Sequence, residues 1–125
     1  MYETIFYRDK RGKNEVEEYL QKLQKRKDKE SRIKSNKIIG YINLLSKHGI
    51  NLGEPYIKHL QNDIWELRPI RDRILFAYLK NNKIIILTIF MKQTQKTPQR
   101  EIERAEKYLK DFVWGVDEKW KTKII

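Results

Sequence analysis

The run of residues 84–91 constrains the fold more than any other part of the chain. It contains one polar side chain, Thr88, among seven apolar ones. Successive side chains of a strand point to opposite faces of a sheet, so a strand here is apolar on both faces. Such a strand is typical of the interior of a sheet. The run is also much shorter than the roughly 20 residues of a membrane-spanning helix. We therefore predict a sheet with this segment as a central strand.

A strand over residues 2–7 and two amphipathic helices are predicted in the first half of the chain. Asn14 precedes Glu17 by three positions, as in a capping box that starts a helix. The first helix has an apolar stripe at helical spacing, formed by Val16, Tyr19, Leu20 and Leu23. The second helix ends near His48, and its stripe is formed by Ile38, Tyr41, Ile42 and Leu45. The break between the two helices is predicted within residues 25–30.

Three more strands and a closing helix are predicted in the second half. The strands cover residues 64–68, 73–80 and 83–92, and Asn81–Asn82 fit a two-residue hairpin turn because both tolerate positive φ. Thr97–Pro98 predict the start of the closing helix. The order is β-α-α-β-β-β-α, an α+β domain with an antiparallel sheet and with helices packed on one face.

The hairpin turn predicts a register, and the register assigns each side chain to a face. With two residues in the turn, Ile74 lies opposite Ile89. The predicted core face is formed by Trp65, Leu67, Ile74, Phe76, Tyr78, Ile85, Leu87 and Ile89. The other face is predicted to be a basic surface with one carboxylate, formed by Glu66, Arg68, Arg73, Thr88 and Lys92, with Leu75, Ala77, Ile86 and Phe90 among them.

Charge and composition narrow the class of partner and the kind of chemistry. The 28 Lys and Arg residues exceed the 17 Asp and Glu residues by 11, which predicts a polyanionic partner. A hydrophobic content of 39% is too high for a disordered polycation. The absence of cysteine excludes disulfides, thiolate zinc sites and cysteine nucleophiles, and two histidines make a multi-histidine metal site unfavourable. The first residues do not follow a secretory signal pattern, so we expect a soluble, cytoplasmic protein.

Arg68 and Arg73 lie directly opposite each other in the predicted register. Two like charges so placed repel each other unless an anion lies between them. In one interpretation Glu66 neutralises one arginine and the remaining charges are solvated. In the other, the arginines bind phosphate, which guanidinium groups recognise through paired hydrogen bonds. The segment 92–98 adds two lysines, amide donors and a helix N-terminus, all of which attract anions.

Three motifs of the second half recur together in one known group of proteins. They are Glu66-Leu67-Arg68, the strand at 73–78 and the block Phe-Met-Lys-Gln-Thr-Gln-Lys-Thr-Pro at 90–98. This set resembles the phage-protein-like HigB branch of the RelE/ParE toxin superfamily, although Gln93 stands where a second lysine is more usual. The resemblance implies a RelE-like toxin domain over residues 1–112, followed by a tail of unassigned structure at 113–125 that includes Trp114 and Trp120.

The resemblance also implies a function and a set of partners. It implies the toxin of a type II toxin–antitoxin pair, which acts on the ribosome as a metal-independent endoribonuclease without a cofactor. A cognate HigA-like helix-turn-helix antitoxin neutralises such a toxin. In this chemistry the ribose 2′-oxygen attacks the adjacent phosphate, which requires a base, cations and a proton donor.

Residue roles follow from the resemblance by position. Glu66 or a lysine is the implied base, Arg68 and Arg73 stabilise the phosphate, and Lys92 or Lys96 assists orientation and leaving. The residues implied to bind RNA or the ribosome are Lys25, Arg26, Lys27, Arg32, Lys34, His59, Arg71 and Gln93. The basic run over 22–37 fits a solvated helix face as well as a surface that contacts ribosomal RNA. His59 is predicted in the loop before the sheet, where an ordinary loop residue is the alternative to a substrate-facing one.

Two other functions compete with the ribonuclease. One is a ParE-like gyrase inhibitor, because that branch of the superfamily shares the fold. The other is a non-catalytic, phage-derived nucleic-acid-binding protein, which rests on charge alone. The convergence of Glu66, Arg68, Arg73, Lys92 and Lys96 favours phosphate chemistry over both.

Overall fold

The computed structural model describes residues 1–115, which form three α-helices around a five-stranded sheet. The strands are β1 (Glu3–Phe6), β2 (Ile57–Gln61), β3 (Ile64–Leu67), β4 (Asp72–Leu79) and β5 (Lys83–Met91). The helices are α1 (Glu15–Lys25), α2 (Lys29–His48) and α3 (Gln99–Gly115), and a short 3-10 helix, Gly49–Asn51, follows α2. Within this part of the chain, none of the helices has both the length and the apolar character needed to cross a membrane.

The sheet has the strand order β1-β5-β4-β3-β2. β5 lies between β1 and β4, which confirms its predicted interior position. β1 pairs with β5 in parallel, so the prediction of an antiparallel sheet is wrong at this one pair. The predicted element order is also wrong, because it lacks β2. This strand, Ile-Lys-His-Leu-Gln, has only two apolar residues of five and pairs along the edge of the sheet with β3.

Helices cover both faces of the sheet, whereas the sequence predicted helices on one face. α1 and α2 pack on the face that carries Leu67, Ile74 and Phe76. α3 packs on the opposite face, where its buried stripe meets β3, β4 and β5 through Ile64, Leu75, Ala77, Leu79, Ile85, Leu87, Ile102, Ala105, Leu109 and Val113. The predicted basic surface on this face is therefore apolar core over most of its area, and polar groups remain only near its end.

The register of the central hairpin explains which face assignments failed. The loop between β4 and β5 holds three residues, 80–82, rather than two, and Asn81 and Asn82 both have positive φ. An irregularity between Leu75 and Phe76 then shifts the register back by one residue, as a β-bulge does. The predicted Ile74–Ile89 pair, which is separated from the turn by the bulge, is confirmed. Ile85 and Leu87 face α3, so their predicted place on the core face with Ile74 is wrong.

The helix boundaries follow local chemistry. The Asn14 side chain accepts a hydrogen bond from the Glu17 N–H and caps α1, as predicted. Asp28 caps α2 by accepting hydrogen bonds from the backbone N–H and the hydroxyl of Ser31, and both bonds lower the pKa of the Asp28 carboxyl. The break between the helices lies within residues 25–30, where the sequence predicted it. α3 continues to Gly115, so the first residues of the predicted tail are helical; the remainder of the tail, with Trp120, lies outside the described residues.

Thr88 provides a stability test of this core. It is fully buried opposite Leu75, and within residues 1–115 its Oγ1 has no hydrogen-bond partner. A buried hydroxyl without a partner destabilises a protein by about 1–3 kcal/mol. We expect Thr88→Val to raise the free energy of unfolding by an amount in that range. Urea denaturation measures it as a higher midpoint at an unchanged slope. Thr4→Val, on the half-buried strand β1, is the control, and equal shifts in both variants would contradict the assignment.

Candidate active site

The candidate site lies where β3 and β5 end and where β4 and α3 begin. Glu66 belongs to β3, Arg73 to β4, and Lys92 directly follows β5. The backbone N–H of Lys92 donates to the Arg71 carbonyl at 2.7 Å, which holds the end of β5 against the loop before β4. Side chains from three separate segments therefore converge at one end of the sheet, close to the start of α3.

Glu66 is the buried anion of this cluster, with 2% of its surface exposed. Its Oε1 lies 3.4 Å from Nε of Arg68 and 3.9 Å from Nε of Arg73. Its Oε2 accepts a short hydrogen bond from the Thr97 hydroxyl. A buried carboxylate is stable only when it is paired and hydrogen-bonded in this way. Glu66 therefore lies near both arginines, and its single negative charge balances only part of their two positive charges; Arg73 is buried, so the expectation that the remaining charges are solvated is wrong for it.

Arg73 is almost completely buried, with 7% of its surface exposed. Its Nη1 donates to the backbone carbonyls of Ile70 at 2.9 Å and Asp72 at 2.7 Å. Burial lowers the pKa of Arg73, while the neighbouring Glu66 carboxylate opposes this shift. The other terminal nitrogen, Nη2, has no hydrogen-bond partner among residues 1–115. Since arginine keeps its charge in proteins, Nη2 is an oriented donor available to a ligand.

A cleft of about 460 Å³ opens beside Arg73. Its walls contain three cations, two side-chain amides and one hydroxyl, but no carboxylate, and are formed by Ile70, Arg71, Arg73, Lys92, Gln93, Thr94 and Gln95. We call this the cationic cleft. Three positive charges without a carboxylate among them make it suited to a phosphate group.

Lys96 lies outside the cationic cleft. It lines a neighbouring cleft of about 740 Å³ at the start of α3, together with Arg100 and Glu101. The two clefts share Gln93 and Thr94. The five predicted catalytic residues therefore form two overlapping groups with Lys96 apart: Glu66 with Arg68 and Arg73, and Arg73 with Lys92.

The residues predicted to bind RNA are spread over three places. Arg71 and Gln93 line the cationic cleft. The exposed residues at the corner between α1 and α2 are Lys25, Arg26, Lys27 and Arg32, of which Arg26 pairs with Asp28 at 3.6 Å. His59 lies on β2 rather than in a loop; its ring packs 4.8 Å from that of Trp65, and its Nε2 lies 2.7 Å from the Asn62 carbonyl oxygen.

Lys34 has a structural partner that the sequence did not reveal. Its Nζ lies 3.5 Å from Oδ1 of Asp72, a carboxylate that is buried at the start of β4. The same oxygen accepts a hydrogen bond from the Tyr19 hydroxyl at 2.6 Å. Burial, followed by the hydrogen bond to Asp72, raises the pKa of Tyr19 far above its usual range. Asp72 thus ties both α1 and α2 to the strand that carries Arg73.

Sequence reasoning also missed Thr97 and Ile70. The sequence predicted Thr97 as a helix cap, but its hydroxyl donates to Glu66 and α3 begins at Gln99. Ile70 has a φ of 54°, which is an outlier for a β-branched residue. The sequence carries no signal for the contact of Thr97 with Glu66 or for the backbone conformation of Ile70. Among residues 1–115, no group of histidine, aspartate or glutamate side chains is arranged to hold a metal ion.

Comparison with protein families gives one match. Residues 18–110 match the phage-derived protein Gp49-like family (DUF891), and this stretch contains the whole cationic cleft. The chain belongs to the Gp49-like family. It is a known RelE/HigB-like toxin family, which indicates a toxin-like function. A comparison with curated proteins finds no match.

The role of Glu66 can be tested by stability. We expect Glu66→Ala to lower the free energy of unfolding by about 3–5 kcal/mol, because removing one partner of a buried ion pair leaves the others uncompensated. Arg68 and Arg73 would then repel each other, and the Thr97 hydroxyl would lose its acceptor. The measurement is chemical denaturation. Glu54→Ala, at an exposed position without an ion pair among residues 1–115, is the matched control, and equal stability of the two variants would refute an anchoring role.

Proposed function

We propose that this protein is the toxin of a type II toxin–antitoxin pair and that it cuts mRNA on the ribosome. Membership of a RelE/HigB-like toxin family supports the toxin part. The block at 90–98 supports the HigB branch within a RelE-like fold, since it supplies the end of β5 and part of the cationic cleft. The proposal includes a HigA-like helix-turn-helix antitoxin as partner and the cytoplasm as location.

The cationic cleft is the single observation that carries the ribonuclease activity. Arg71, Arg73 and Lys92 line it without a carboxylate, and Nη2 of Arg73 is oriented by the hydrogen bonds that Nη1 makes to the backbone. Donors that are fixed before the substrate arrives stabilise developing charge without reorganisation. Phosphoryl oxygens gain negative charge when a ribose 2′-oxygen attacks, so this arrangement suits the transition state.

The proposed reaction is an internal transfer at phosphorus. The 2′-oxygen loses its proton and bonds to the adjacent phosphorus; the bond from phosphorus to the 5′-oxygen breaks, and that oxygen takes up a proton. Glu66 is too deeply buried, and too fully paired, to reach the 2′-hydroxyl. We therefore give Glu66 the role of positioning Arg68 and Arg73. Lys92, which lines the cleft, is the side chain proposed to accept the proton of the 2′-hydroxyl and to return it to the departing 5′-oxygen.

The ribosome is part of the proposal because the cleft is open and does not by itself fix the RNA in one geometry. Attack of the 2′-oxygen requires an in-line geometry, and holding reactants in such a geometry accounts for much of the rate in reactions of this kind. A net charge of +11 favours docking to ribosomal RNA. The exposed cations at the corner between α1 and α2 are candidates for that contact.

Arg71→Ala and Arg73→Ala test the cleft. Loss of one donor aimed at transition-state charge lowers the rate on the order of 10²- to 10³-fold. We expect either substitution to abolish growth arrest on induced expression. Arg71 is exposed and has no ion pair among residues 1–115, so its loss leaves the melting temperature close to that of the parent. Arg73→Ala also removes two hydrogen bonds to the loop and lowers the melting temperature.

Arg11→Ala is the matched control, because it removes the same charge from an exposed turn far along the chain from the cleft residues. It should stay fully toxic. Full toxicity of Arg71→Ala and Arg73→Ala would rule out the cationic cleft as the site.

The ends of the cut RNA test the reaction. Attack by the 2′-oxygen predicts a 2′,3′-cyclic phosphate on one fragment and a 5′-hydroxyl on the other, and a single 2′-deoxy substitution at the cleavage site should prevent cutting. Mass spectrometry of fragments from a purified translation system reads both. A 3′-hydroxyl with a 5′-phosphate would contradict the proposed chemistry. Intact mRNA together with altered DNA supercoiling would favour the gyrase inhibitor instead.

A further inference from the structure

Exposed apolar side chains gather in a groove beside the cationic cleft. Among residues 1–115, the large apolar residues with exposed surface are Met1, Ile33, Ile50, Ile70, Met91 and Trp114. Three of these, Ile33, Ile70 and Met91, line one groove of about 430 Å³ together with Leu23. We call it the apolar groove. Apolar side chains that are exposed singly are ordinary, whereas a cluster of them marks an interaction site.

The backbone of Ile70 gives an independent reason to assign a function to this groove. Its φ of 54° strains a β-branched side chain, and the other non-glycine residues with positive φ in the described part of the chain are Asn62, Asn81 and Asn82. Ile70 is also 56% exposed, so packing in the core does not offset the strain. Strained residues of this kind cluster at sites of binding and catalysis.

The charges around the apolar groove favour a protein occupant over RNA. Its wall contains three carboxylates, those of Asp28, Glu30 and Asp72, and three cations, those of Arg26, Lys34 and Arg71, so it has no net charge to attract a phosphate backbone. Asp28 is paired with Arg26, and Asp72 with Lys34, so both pairs are locally neutral. The wall of the cationic cleft, by contrast, carries three cations and no carboxylate, so a phosphate group is attracted to the cleft more strongly than to the groove.

The groove and the cleft are continuous. Ile70 and Arg71 line both of them. Arg71 has no ion pair among residues 1–115, so a carboxylate on a segment seated in the groove meets an available cation at the mouth of the cleft. A segment placed there covers Arg71, one of the three cations that line the cationic cleft.

We propose that the apolar groove binds an amphipathic segment of the neutralising antitoxin. Its apolar side chains contact Ile33, Ile70 and Met91, and one of its carboxylates pairs with Arg71 in place of a substrate phosphate. Neutralisation is then direct, because the bound segment closes the entrance to the cationic cleft. This inference rests on the proposed function, since it concerns the partner of the same toxin.

The double variant Ile33→Glu with Met91→Glu tests the groove. Both positions are exposed and neither is assigned to the catalytic site, so the variant alone should arrest growth as the parent does. Each protein is co-expressed from an inducible promoter with the protein encoded by the adjacent gene. We expect the double variant to bind that protein about 10²-fold more weakly or worse, and to escape neutralisation. Ile50→Glu, exposed outside the groove, is the matched control and should be neutralised normally.

The possible results separate the competing explanations. Neutralisation of the double variant at the parent's level overturns the groove as the docking site. A folded double variant that has lost toxicity and ribosome binding assigns the groove to RNA, and a change from dimer to monomer in sedimentation assigns it to a second copy of the chain; each overturns the proposal. A parent that does not arrest growth refutes the proposed function itself. If neither adjacent gene product protects against the parent, the antitoxin part of that function is wrong, and the groove proposal falls with it.

Discussion

The burial of one carboxylate determines how this end of the molecule is built. Glu66 is removed from water at 2% exposure, and its charge must be balanced by groups close to it. Arg68 and Arg73 supply positive charge and Thr97 supplies a hydrogen bond, so β3, β4 and the start of α3 are held in one arrangement. Nη2 of Arg73 stays available because Glu66 and two backbone carbonyls bind the rest of its guanidinium group. The cationic cleft thus depends on a carboxylate that is not in its wall.

The sheet could be predicted from the sequence except where two irregularities cancel each other. An extra residue in the loop at 80–82 and the bulge near Leu75 leave the Ile74–Ile89 pair as predicted, while Ile85 changes face. Neither irregularity has a strong signal, because residues 84–87 are apolar and fit both faces equally well. A strand that is apolar on both faces needs a cover on each, so the prediction of helices on one face did not follow this property of the run to its consequence. The packing of α3 on Ile85 and Leu87 meets that requirement.

The candidate site was predictable in part for the same physical reason. Glu66, Arg68 and Arg73 are brought together by strand alternation and by the short loop between β3 and β4, both of which follow from local pattern. Lys34 was predicted to bind RNA as part of the basic run over 22–37, which fitted a solvated helix face equally well. Its contact with Asp72 depends on how α2 crosses β4, which no local pattern encodes. The exposure and backbone strain of Ile70 are likewise tertiary properties.

The loop between β3 and β4 connects the two depressions mechanically as well as by proximity. The carbonyl oxygen of Ile70 accepts a hydrogen bond from Nη1 of Arg73 at 2.9 Å, while the Ile70 side chain lies in the apolar groove. A ligand in the groove therefore contacts a residue whose φ of 54° is already strained. Any rotation of the Ile70 peptide moves the acceptor that orients Arg73. Under the proposed docking, a segment in the apolar groove covers Arg71 and also contacts the residue whose carbonyl oxygen holds the guanidinium group of Arg73.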